Sequence, residues 1–215
     1  MTPSGSASAM TLYLADRPTK ALLVLAHGAG AGQGHPFMTA CARGLSARGI
    51  DVATFDFPYM QQKRRLPDKA PLLEQCFREV IDAARDHDEL RSHRLFIGGK
   101  SMGGRIATHL GAAGVEKLAG IVALGYPLHP PGKPQQPRAA HLPSVTVPMM
   151  IVQGERDAFG TPTELAPVMQ TMTAPVTLHV VARGDHSLAV GGRPRDDVYT
   201  EVLDATVRWI YSVYG

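Results

Sequence analysis

Cysteine is scarce: the 215-residue chain holds two, Cys41 and Cys76. Two thiols make no disulfide framework, so buried thiols in a reducing compartment are expected. Long hydrophobic runs are missing too. No apolar stretch reaches the roughly 18 residues that a membrane-spanning helix needs, and no membrane partner is expected. The opening MTPSGSASA has neither the basic nor the apolar region of a secretory leader. A loose tail over residues 1–9, one domain over 10–215 and a cytoplasmic location are therefore expected. Charge of one sign is also thin, at a net +3. Its one basic cluster, Lys63-Arg64-Arg65, reads as a solvated loop. Nucleic acid needs a concentrated basic face, so none is expected as a partner. Nine histidines are present. None pairs at HExxH spacing, no C-x₂-C stands beside them, and a metal site is disfavoured.

What is present is a globular composition, 44% hydrophobic and 19% charged, with Gly 22 and Pro 17 promising many turns. Short apolar runs alternate with helical patterns. Strands are expected at residues 11–14, 21–26, 51–57, 95–97, 118–124, 149–152 and 176–181. The run at 21–26 is continuously apolar, as in a strand covered on both faces. Helices are expected at 36–47, from Pro71 onward, after Met102, at 163–172 and at 198–214. In the second of these, Leu73, Phe77, Val80, Ile81 and Ala84 share one stripe. Residues 60–70 read as a polar loop. Residues 127–148 hold seven prolines and read as an irregular one. The alternation implies an α/β fold: a mainly parallel, doubly wound sheet with helices on both faces.

Gly99-Lys100-Ser101-Met102-Gly103 has the form G-x-S-x-G and lies between an expected strand and helix. A sharp turn there projects the Ser101 hydroxyl above the sheet, and the helix start aims free N–H groups at developing charge. A serine nucleophile needs a base, and a histidine base needs a carboxylate to orient it. His186 follows the strand at 176–181, and Asp157 follows the strand at 149–152, with Glu155 as the nearby alternative acid. All three then lie at strand C-termini, where open α/β sheets build their sites. His27-Gly28-Ala29-Gly30-Ala31-Gly32 follows the strand at 21–26. Its backbone can approach a substrate, and the N–H groups of Ala29 and Met102 are the expected oxyanion hole. His27 is expected to hold this loop. Lys100 and Arg105 flank the turn, and surface ion pairs are expected of them, with selection of an acidic substrate as the alternative.

Two cofactor patterns fail. A Walker loop ending at Gly99-Lys100-Ser101 needs a glycine where Arg94 stands. The dinucleotide pattern fails at His35, and no cofactor is expected.

On these residues the chain resembles an α/β-hydrolase over nearly its whole length after about residue 10. It is similar above all to a branch containing short bacterial serine hydrolases and the hydrolase-like domains of a testis-expressed vertebrate protein and an NSL-complex subunit. The shared stretches are His27-Gly28-Ala29-Gly30, Gly99 to Arg105, Gly125-Tyr126-Pro127-Leu128-His129-Pro130, Gln153 to Asp157 and Asp185-His186-Ser187. Dienelactone hydrolases are more distant, with a cysteine in place of Ser101. The resemblance implies a serine hydrolase acting on small carboxylic esters or thioesters. A non-catalytic interaction module on the same fold is the alternative. Larger relatives insert a helical lid where this chain has residues 127–148. That polar loop is expected to wall a short, open site.

Overall fold

Strands that are apolar at every position need cover on both faces, and this determines the layering. The structure is a computed structural model that describes residues 10–214. The tail expected over 1–9 lies outside the described residues. In chain order the strands are β1 (Met10–Tyr13), β2 (Ala21–Ala26), β3 (Asp51–Phe55), β4 (Arg94–Lys100), β5 (Leu118–Leu124), β6 (Met149–Gly154) and β7 (Val176–Val181). The helices are α1 (Pro36–Ser46), α2 (Pro58–Gln61), α3 (Ala70–Asp86), α4 (Met102–Ala113), α5 (Pro162–Met169) and α6 (Arg195–Tyr214). The sheet runs β1-β3-β2-β4-β5-β6-β7. Only β1 is antiparallel, to β3; the other pairs are parallel.

Side chains along a strand point alternately to opposite faces. In β2, Leu22, Val24 and Ala26 enter one core, while Ala21, Leu23 and Leu25 enter the other. The first core is covered by α3, α4 and Leu165 of α5, the second by α1 and α6. The α3 stripe is buried as its spacing implies. Its Phe77 ring lies 5.0 Å from Phe55 and 6.4 Å from Phe57. Truncating such a buried ring to alanine costs about 3–5 kcal/mol through lost burial and a residual cavity.

Several boundaries differ from the sequence expectation. β3 stops at Phe55, and Pro58 opens the short helix α2 rather than merely ending a strand. A proline suits a first helical turn, whose N–H groups lack intrahelical partners anyway. β4 is seven residues long, because Gly98, Gly99 and Lys100 continue the ladder to β5. α6 starts at Arg195, three residues early, with a polar first turn that offers no apolar period to read. Residues 127–148 contain one 3₁₀ turn, Leu142–Ser144, and otherwise no regular element.

Candidate active site

Parallel strands bring their C-terminal ends to one edge of the sheet. Ser101 directly follows β4, between it and α4, with φ 50° and ψ −113°. That backbone conformation is strained for a residue with a side chain. The neighbouring glycines allow the turn. A Cβ on Gly99 would sit 2.5 Å from the Ala26 carbonyl oxygen, and one on Gly103 would sit 2.4 Å from the same atom. The Ser101 N–H donates to the Leu124 carbonyl at 2.9 Å, tying the turn to β5.

The structure places His186 within hydrogen-bond distance of both Ser101 and Asp157. Ser101 Oγ is 2.8 Å from His186 Nε2. His186 Nδ1 is 2.8 and 3.0 Å from Asp157 Oδ2 and Oδ1. An ionised carboxylate only accepts, so the imidazole proton sits on Nδ1 and Nε2 accepts from the serine hydroxyl. Asp157 is buried. Its Oδ1 accepts the Phe159 N–H at 2.8 Å, and its Oδ2 accepts from Gln153 Nε2 at 2.8 Å. Glu155 does not reach the histidine; its carboxylate instead accepts the Arg183 N–H at 2.6 Å.

Three further residues adjoin this set, of which Gln153 and Phe159 were not assigned roles from sequence. Gln153, at the end of β6, is fully buried. Beyond Asp157, its amide nitrogen donates to the Gly160 carbonyl at 2.7 Å, and its amide oxygen accepts the Tyr126 N–H at 2.8 Å. Phe159 stacks on His186, ring centroids 4.1 Å apart. Lys100 Nζ donates to the His186 carbonyl at 2.6 Å. Among the described residues it forms no ion pair, contrary to expectation. Desolvation pushes its pKa down to about 8, against the opposing pull of Asp157 and Asp185. Arg105 also makes no ion pair among the described residues: it donates to His109 Nε2 at 3.2 Å, and His109 Nδ1 faces Glu74.

The loop after β2 closes on the same point. A Cβ on Gly28 would lie 3.6 Å from Ser101 Cβ. Ala29, next along, is exposed at the cavity mouth, and Met102 supplies the first N–H of α4. His27 is buried beneath. Its Nε2 accepts the Phe57 N–H at 3.0 Å, which leaves Nδ1 to donate to the Gly28 carbonyl at 2.8 Å. Desolvation lowers its pKa, which suits a neutral, structural ring.

A cavity of about 380 Å³ opens beside Ser101, lined by the loop after β2, the start of α1, the segment at 186–189 and the start of α6. None of its lining residues comes from 127–148, so that loop does not wall it as expected. It is held aside instead: Tyr126 donates its hydroxyl proton to the Arg138 carbonyl at 2.7 Å, and the His129 N–H reaches the Phe159 carbonyl at 3.0 Å. Among the described residues, no three His, Cys, Asp or Glu side chains gather as a metal site, and no helix is long and apolar enough to cross a membrane.

Comparisons with known proteins fit this geometry. A family model described as an alpha/beta hydrolase domain matches residues 19–211. A dienelactone hydrolase from Anabaena variabilis superposes with a TM-score of 0.74 at 18% identity, over 94% of this chain and 90% of that one. An alpha-beta serine hydrolase homologue from Coxiella burnetii gives 0.75 at 16%, over 94% and 90%. XC6422 from Xanthomonas campestris, an a/b serine hydrolase without lid, gives 0.73 at 19%, over 93% and 88%. At these identities the likeness to the three structures is one of fold.

Proposed function

The chain belongs to the alpha/beta hydrolase domain family, and from that premise we propose that it is a serine hydrolase cleaving small carboxylic esters or thioesters. The observation that carries this is the 2.8 Å approach of Ser101 Oγ to a histidine whose other nitrogen is held by a buried carboxylate. Ser101 attacks the carbonyl carbon while His186 Nε2 takes its proton. The negative oxygen is met by the Ala29 and Met102 N–H groups. Asp157 holds the ring and stabilises the imidazolium. The imidazolium then protonates the leaving alcohol or thiol, which departs and leaves an acyl-serine. Water, deprotonated by His186, attacks that ester and releases the acid and Ser101. These steps use side chains, backbone and water, with no cofactor.

Within the family we assign the chain to the branch of short bacterial serine hydrolases and testis-expressed or NSL-subunit hydrolase-like domains, on the shared stretches quoted above. We place it in the cytoplasm as one domain, since two buried thiols outside any disulfide suit a reducing compartment. The names of the structural neighbours agree with a hydrolase, but the side-chain geometry is the stronger support. The test is turnover of p-nitrophenyl acetate. The wild type is expected to be active, and Ser101→Ala to lose several orders of magnitude in kcat. Equal turnover by both proteins overturns the assignment of Ser101. A folded wild type with no turnover would favour the interaction module.

A further inference from the structure

We propose that the acyl group of the substrate ends in a carboxylate, a few methylenes from the ester, and that the cavity beside Ser101 holds this anion. The inference rests on the serine-hydrolase reading and adds the substrate class. Besides His186, three basic residues line the cavity, His35, Lys100 and Arg195, and no acidic residue among the described ones does. Among the described residues neither Lys100 nor Arg195 forms an ion pair. His35 accepts the Phe37 N–H at its Nδ1, 3.2 Å away, so its neutral ring carries the proton on Nε2 and is a donor there.

Three helices also start at this cavity: α1 after His35, α4 after Ser101 and α6 at Arg195. A helix start carries partial positive charge and unsatisfied N–H groups, which favour anions. Neither α1 nor α4 has an acidic residue in its first turn; α6 has Asp196 and Asp197. The nearby acids are engaged elsewhere. Asp157 faces His186, and Asp185 accepts the N–H groups of Ser187 and Ala189. The thiol of Cys41, pushed up to about 12 by burial, stays neutral.

Among the described residues, Lys100 Nζ has the His186 carbonyl as its hydrogen-bond partner, and Asp157 and Asp185 offset part of its desolvation. A bound carboxylate would bring a counter-charge to the basic residues around the cavity. Phe37, Met38, Leu188 and Tyr199 make the remaining wall largely apolar, which suits the methylenes between the two ends.

The probes are p-nitrophenyl hydrogen adipate and its neutral methyl ester, which share the same acyl chain and differ in charge. The wild type should favour the anion at least about ten-fold in kcat/KM, mainly through KM. Arg195→Gln and Lys100→Met should each bring the ratio toward one. A wild-type ratio at or below one overturns the proposal, as does a ratio that neither variant changes. Binding gives a readout independent of turnover: calorimetric titration of Ser101→Ala with monomethyl adipate and dimethyl adipate. The anion should bind about ten-fold tighter, and adding Arg195→Gln should remove the difference; equal binding overturns the proposal. If the wild type hydrolyses neither ester, the hydrolase reading fails, and the titration still decides the anion site.

Discussion

Asp157 is buried with three donors around it, and each donor bears on what the carboxylate can do. Asp157→Asn keeps the shape but can present its amide N–H to His186 and favour the wrong tautomer. Its expected loss is on the order of 10⁴-fold in kcat, by analogy with serine triads. Glu155→Gln should stay within a few-fold of wild type, because Glu155 only meets the Arg183 N–H. Steady-state kinetics of the pair checks the assignment; a crippled Glu155→Gln beside an active Asp157→Asn would reverse it. Gln153 is a positioning residue. Gln153→Leu removes a donor from Asp157 and leaves the buried Tyr126 N–H without its acceptor. Unmet buried groups of this kind cost about 1–3 kcal/mol, so kcat should fall on the order of 10–100-fold with KM little changed. An unchanged kcat in a folded variant would leave Gln153 a purely structural part. The order Ser, Asp, His was legible as residue types at strand ends. Gln153 was not, because a glutamine at a strand end carries no signature until its partners arrive from 126, 157 and 160.

At the level of elements, the glycines around Ser101 and the helix behind Asp157 fix the site. The continuous apolar run of β2 and the stripe of α3 were readable because burial demands them. The length of β4 was not, because its last residues double as the turn motif: Gly98 and Gly99 pair with β5 while giving no strand propensity. α5 follows the loop that carries Asp157 and begins with a capping box of Thr161 and Glu164. The Thr161 N–H, then its hydroxyl, hold Glu164 below the usual carboxylate range, with His129 adding to the effect. Thr161→Ala should cost about 1 kcal/mol, seen as a Tm lower by about 2–4 °C near neutral pH. The folded pKa of Glu164 lies below its unfolded value. Its stabilisation is therefore complete above the unfolded value of about 4.3 and fades as pH falls through the folded one. The wild-type advantage in Tm should accordingly narrow below about pH 4.3. An advantage that widens there would contradict the Glu164 linkage.

For the molecule as a whole, the parallel sheet delivers the loops after β2, β4, β6 and β7 to one edge. The cavity arises where α1, the His186 segment and α6 meet. Sequence order could show that chemistry gathers at this edge, but not which loop walls it. Residues 127–148 looked like the wall, yet Tyr126 and His129 hold them elsewhere. The walls that form are short, in a cavity of about 380 Å³. Each methylene that fits contributes about 0.8 kcal/mol, and those that reach past the wall contribute little. Across neutral p-nitrophenyl esters, kcat/KM should rise over short acyl chains of roughly two to six carbons and then level or fall. A steady climb to long chains would show an apolar trough beyond this cavity.

The central claim is that Ser101 is a nucleophile activated by His186, and covalent capture tests it most directly. The native protein would be treated with a fluorophosphonate, digested and mapped by mass spectrometry. The phosphonyl adduct should sit on Ser101, disappear in Ser101→Ala, and form far more slowly in a folded His186→Ala. A folded wild type left unlabelled, or an adduct that persists in Ser101→Ala, would contradict the claim.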